Sequence, residues 1–198
     1  MRARSFISAV AVATVLIVGC SGKSDTSGSV DPGYETDLTL PNPTPGGKPP
    51  AGVQIFEGLS QEHVDTPVEY PQSPPVGGPH AFPPNWQTCK FYDSPVPNEQ
   101  AVHSLEHGAV WITYSPDLPA NQVALLRQLA GGHVLVSQYK GLTSPLVATA
   151  WGRQLPIQAA TDVALVDFIA AFEEGPQTPE LGAPCEGGTE SLTLVVSK

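Results

Sequence analysis

The sequence predicts a single α+β (or α/β) domain, with a mixed sheet, two or three helices and a long, ordered, proline-rich loop region. Short β-branched and aromatic runs alternate with two amphipathic segments in the order β-α-β-β-α-β, which suits a helix layer on a mixed sheet. Prolines gather in residues 67–97, where Pro74-Pro75, Gly77-Gly78-Pro79 and Pro83-Pro84 forbid long helices or central strands. The length of 198 residues, at roughly 100 to 200 per domain, allows one domain plus tails.

The elements follow from local chemistry. Residues 53–59 form a short apolar stretch ahead of His63. Residues 98–107 contain neither Pro nor Gly and predict a helix of about two and a half turns, stopped by Gly108. Ala109-Val110-Trp111-Ile112-Thr113-Tyr114 then reads as a strand. Asp117 is placed to cap a helix over 118–130, with Val123, Leu126 and Leu129 near one face and Gly131-Gly132 at its end. Residues 134–139 and 146–155 read as two further strands. Thr161-Asp162 opens a helix over 163–172, and 192–196 reads as a terminal strand.

Before this domain, expected over 53–198, the chain reads as an address and a leash. Arg2 and Arg4 precede an apolar run from Phe6 to Val18, too short for a permanent membrane span of about 20 residues. The run ends in Ile17-Val18-Gly19-Cys20, which resembles a bacterial lipobox. The expectation is therefore a lipoprotein signal peptide over 1–19, lipidation (palmitate) at Cys20, and a lipid-anchored protein on the extracytoplasmic face of the cell membrane. Residues 20–52 are rich in Ser, Gly and Pro and poor in large apolar side chains, so they read as a disordered tether. A flexible chain of that length spans on the order of 30 Å.

Charge excludes one class of partner. With 9 basic against 19 acidic side chains and a formal charge of -10, nothing concentrates the Lys and Arg that phosphate binding needs, so no nucleic-acid partner is expected. The expected partner is the membrane, through the N-terminal lipid; protein partners are unreadable. Beyond Cys20, two cysteines remain. A Cys89–Cys185 disulfide would close a loop of roughly 96 residues and contribute about 4 kcal/mol at most. A buried thiol or a thiolate metal ligand are the alternatives.

The five histidines carry the chemical signal. On a helix, His103 and His107 stand one turn apart on one face, and Glu106 shares that side. His80, closing the stiff Gly77-Gly78-Pro79 turn, supplies a third nitrogen. The set His80, His103 and His107 would hold a transition metal, copper or zinc, with a position open to water. Glu106, Arg153 and His63 are candidates for the surrounding shell, although His63 reads more readily as a surface residue and His133 as a solvent-edge one. His103-Ser104-Leu105-Glu106-His107 also fits His-x-x-Glu-His, the inverted zinc-peptidase pattern in which the glutamate is general base, with Glu180 downstream as a third ligand. Gly108 ends the helix where those enzymes continue it, and the chain is short for that fold. The metal-free alternative makes the histidines hydrogen-bonded corner pieces of a structural or protein-binding module.

Three strings carry a resemblance: Pro74-Pro75-Val76-Gly77-Gly78-Pro79-His80, Ala101-Val102-His103-Ser104-Leu105-Glu106-His107-Gly108-Ala109-Val110, and Val147-Ala148-Thr149-Ala150-Trp151-Gly152-Arg153. They resemble the signature blocks of the bacterial family known as domain of unknown function 3105, over about residues 53–188. The resemblance implies a secreted or membrane-anchored envelope protein, places His80, His103, Glu106 and His107 within the signature blocks, and carries no activity. Within the third block, Arg153 could bind an anionic group or pair with a buried carboxylate such as Glu106. Equally, Trp151-Gly152-Arg153 reads as a strand bulge.

Overall fold

The computed structural model describes residues 38–196. The expected signal peptide, Cys20 and most of the expected tether lie outside them. In chain order the elements are β1 (Gln54–Ile55), β2 (His63–Val64), β3 (His80–Ala81), α1 (Asn98–Glu106), β4 (Val110–Tyr114), α2 (Ala120–Leu129), β5 (Val134–Gln138), β6 (Leu146–Ala150), β7 (Arg153–Ile157) and α3 (Val163–Phe172). The α+β expectation holds. Five strands form one mixed sheet in the order β1-β7-β6-β4-β5, and β2 and β3 form a separate two-stranded one.

The centre of the sheet explains itself from sequence. All five residues of β4 are buried, and their alternation divides them between two layers: Val110, Ile112 and Tyr114 face one core, Trp111 the other. β5 runs parallel to β4, a pairing that needs a crossover, and α2 supplies it. α2 and α3 cover the first face through Leu125, Leu126, Leu165, Phe168 and Phe172. α1 covers the second through Ala101, Val102 and Leu105, together with Cys89, Tyr92 and Cys185 from the irregular segments. The outer edge of β5 is closed by the proline-rich half: Tyr92 N–H donates to the Val136 carbonyl at 2.8 Å and Val136 N–H to the Lys90 carbonyl at 3.0 Å.

Several elements depart from expectation. The run over 146–155 is two antiparallel strands, with Ala150 opposite Arg153 across a tight turn. Gly152 makes that turn at φ 64°, and a Cβ there would lie 2.6 Å from the Phe56 carbonyl oxygen. Asp117 does not cap α2. The cap position is Pro119, and Asp117 N–H instead donates to the Ser115 hydroxyl at 3.2 Å. Asp162 does cap α3, its carboxylate accepting from Ala164 N–H at 2.9 Å. Residues 192–196 are not a strand; the tail is tied instead to Gln100, whose amide donates to the Ser191 carbonyl at 3.1 Å and accepts from Val195 N–H at 2.9 Å.

Part of the stretch read as tether, residues 38–44, lies against the domain. Leu38 and Leu40 pack on the α2/α3 core, and Thr44 donates through its hydroxyl to the Asp167 carboxylate at 2.7 Å. Two leucines in an otherwise polar stretch were enough apolar surface to dock it. No helix among the described residues is long and apolar enough to cross a membrane.

Candidate metal centre

Three separate pieces of chain bring the site together. The first is β2 and β3, which run parallel with His63 directly opposite His80. His80 N–H donates to the Glu62 carbonyl at 2.9 Å and Phe82 N–H to the Val64 carbonyl at 3.1 Å. The second is the turn before β3. Gly77 there adopts φ 142°, and a Cβ on it would meet Leu59 at 2.7 Å and the Trp151 ring at 3.3 Å, so only glycine lets the loop lie this close. The third is α1, which packs against β3. It presents His103 and Glu106, three residues apart, toward the histidine strands.

One potential ligand atom from each of His63, His80, His103 and Glu106 lies within 4.8 Å of all the others. The rings of His63, His80 and His103 have centroids 4.7 to 5.1 Å apart. His80, His103 and Glu106 are buried, whereas the His63 side chain is 32% exposed. The four could hold a metal ion.

Hydrogen bonding shows what the group needs. His80 Nδ1 is 2.8 Å from the Gly78 carbonyl oxygen, which can only accept, so that nitrogen carries the hydrogen. His80 Nε2 then faces Glu106 Oε2 at 2.8 Å. A bare imidazole nitrogen against a carboxylate repels, so a cation must sit between them, either a proton or a metal. His63 Nε2 approaches the same oxygen at 3.5 Å. On the other side, His103 Nδ1 is buried with no hydrogen-bond partner. Burial, followed by the neighbouring His107, His80 and His63, lowers the His103 pKa from 6.5 to about 3, with the backbone of Ala81 opposing. His103 is therefore a neutral imidazole, the form that ligates metals.

The expected trio is thus only partly assembled. His80 and His103 belong to the close group. His107 stacks edge-on against His103 at 4.7 Å, but its Nδ1 donates to the Pro184 carbonyl at 2.8 Å and its Nε2 lies 3.4 Å from Glu180. Burial lowers its pKa, against the opposing pull of the Pro184 carbonyl and of Glu180 and Glu106. His63 and Glu106, expected in the surroundings, are in the group instead. The peptidase pattern has both of its histidines on the metal and its glutamate free; here Glu106 is among the side chains that could hold an ion together and His107 is not. Arg153 is elsewhere, its guanidinium donating to the Gly152 carbonyl at 2.8 Å. His133 Nε2 donates to the Ala183 carbonyl at 3.0 Å. Trp151, from the same block as Arg153, does reach the site, edge-on to His80 at 5.8 Å.

The inclusion of His63 had no local signal. It stands 17 residues before its partner on β3, and only strand pairing, a non-local event, unites them. A faint clue was the spacing of His63-Val64 and His80-Ala81, two short β-branched or small pairs on either side of a proline-rich loop.

Cys89 and Cys185 are joined in a disulfide, with Cα atoms 5.4 Å apart. The bond holds the segment carrying Pro184, the partner of His107, against the loop that carries Gln87. Gln87 in turn accepts from the Ser104 hydroxyl of α1 through its carbonyl at 2.7 Å.

A family model described as "Protein of unknown function (DUF3105)" matches residues 63–187. The chain belongs to that family. The match begins at His63, the first residue of the centre, and takes in all four members of the group. Neither a curated protein nor a solved structure matches this DUF3105 chain.

Proposed function

We propose that this DUF3105 protein binds one transition-metal ion, zinc or copper(II), through His63, His80, His103 and Glu106, and does so as a lipid-anchored protein of the cell envelope. The observation that carries the metal reading is the buried, partnerless His103 Nδ1 beside a His80–Glu106 pair that requires a cation. An orphaned buried polar atom costs about 1–3 kcal/mol, which a bound ion would offset. Zinc–nitrogen bonds of about 2.0–2.1 Å put tetrahedral ligand atoms roughly 3.3 Å apart, so the group needs only a modest contraction from its present spacing. No sulfur stands among the four, and both described cysteines are oxidised, so the soft donors that favour copper(I) are missing from the set. The lipobox-like Ile17-Val18-Gly19-Cys20 supports the anchor, and the disulfide supports an oxidising compartment.

Elemental analysis of the chain, purified without a polyhistidine tag, tests the metal reading. About one equivalent of zinc or copper is expected, retained in His107→Ala and lost in the double variant His80→Ala/His103→Ala. No metal in the parent, with the double variant merely less stable by about 1–3 kcal/mol, would favour the structural-module alternative, for which the paired ring nitrogens of His80 are the supporting observation. A hydrolytic role with Glu106 as base is less well supported, because that carboxylate is buried and already faces two imidazoles.

A further inference from the structure

Of the four side chains in the group, three are enclosed and one is not. His80, His103 and Glu106 are walled in by α1, β3 and the rings of Trp86 and Trp151, whose centroids lie 5.8 Å from those of His103 and His80 respectively. His63 is the exposed member. Its Nε2 stands 3.5 Å from the Glu106 carboxylate, where that of His80 stands at 2.8 Å. Its backbone belongs to a two-residue strand that pairs on one side only, with β3. Moving it therefore disturbs very little, whereas moving His80 or His103 would disrupt buried structure.

What lies outside His63 is chemically specific. An open depression beside it is lined by Glu62, His63, Val64, Asp65, Thr66 and Phe82. Glu62 and Asp65 are exposed and flank the histidine on either side in sequence. Two carboxylates at the mouth raise the local concentration of cations, and the effect weakens as salt screens them. Resting on the metal-binding reading above, we infer that the centre is an exchange site. A hydrated divalent cation enters and leaves past Glu62 and Asp65, with His63 as the detachable ligand and His80, His103 and Glu106 as the retained ones. During transfer, a carboxylate or imidazole of a metal carrier takes the position that His63 vacates, so the ion never loses all its ligands. This makes the site one for passing a metal on, not for holding it permanently as a structural ion.

The test is kinetic. The zinc(II)-loaded chain is mixed with an excess of chromophoric chelator and release is followed by stopped flow; uptake of free zinc(II) is followed separately. His63→Ala is expected to keep about one equivalent and to release it at least tenfold faster than the parent. Glu62→Gln/Asp65→Asn is expected to slow uptake severalfold at low ionic strength, with release unchanged and the difference gone at high salt. Glu62→Gln alone should show part of the same effect. Release from His63→Ala at the parental rate, or complete loss of metal from it as from His80→Ala/His103→Ala, would overturn the exchange role. So would uptake that is indifferent to both acidic substitutions. A parent that takes up neither zinc(II) nor copper(II) would overturn the metal reading itself, which separates the two failures.

Discussion

On one face of the five-stranded sheet, Val110, Ile112, Val136, Leu146 and Ile157 meet Leu126, Leu165 and Phe168 of α2 and α3, and the layer is apolar throughout. On the other, Trp111 and Leu135 share their space with Gln87, Gln100, His103, Ser104, Glu106 and His107, all buried. The first face is held chiefly by buried apolar area. The second is held by directed bonds: Ser104 to the Gln87 carbonyl, the Gln100 amide to Gln87 Oε1 at 2.8 Å, and the disulfide. Polar groups can be buried safely only where each finds a partner, so a face that carries ligands must spend its neighbours on positioning. The apolar face supplies the stability that the other, richer in polar groups, supplies less of.

That contrast can be broken most severely from the apolar side. Phe168 is fully buried, and Phe168→Ala should cost about 3–5 kcal/mol, read from urea unfolding, while metal stoichiometry of the folded fraction is unchanged. Loss of metal at conditions where the variant is fully folded would show that the two faces are not independent.

Acid should act through the other face. In the metal-free chain His103 stays neutral down to about 3, whereas the unfolded chain takes up that proton near 6.5. Between those values the unfolded state binds more protons, so stability falls as pH drops from about 6.5 toward 3. At 1.36 kcal/mol per pKa unit, the upper bound is about 5 kcal/mol. His107, also lowered, adds in the same direction. Comparing denaturation against pH for the parent and for His103→Gln checks this, since the variant should lose much of the dependence in that window.

Removing the covalent link is the third way. Cys89→Ser/Cys185→Ser should cost about 2–4 kcal/mol. Hydrogen exchange should rise in α1 and in residues 184–196, with α3 scarcely affected. Equal loosening of both faces would contradict the division drawn here.

Legibility follows the same line. α1, β4, β5 and α3 are readable because each has either an uninterrupted periodic pattern or a residue that bounds it, such as Asp162 at the start of α3 or Gly108 just beyond α1. The β6–β7 hairpin was read as one strand because Trp151-Gly152 is not one of the dipeptides that usually announce a two-residue turn. β1, β2 and β3, at two residues each, have no period to detect. In the site, the helical spacing correctly brought His103 and Glu106 to one side. It also suggested His107, which does lie next to His103 but spends its Nδ1 hydrogen on a carbonyl 77 residues away. Helical phase brings residues to a neighbourhood; the long-range partner of each ring decides where its nitrogens point.

The docking of residues 38–44 has a directional consequence. The chain arrives at the domain on the α2/α3 side, held there by Leu38, Leu40 and the Thr44–Asp167 bond. The histidines are gathered on the α1 side of the sheet. A pull applied through the preceding chain therefore reaches the domain at its back.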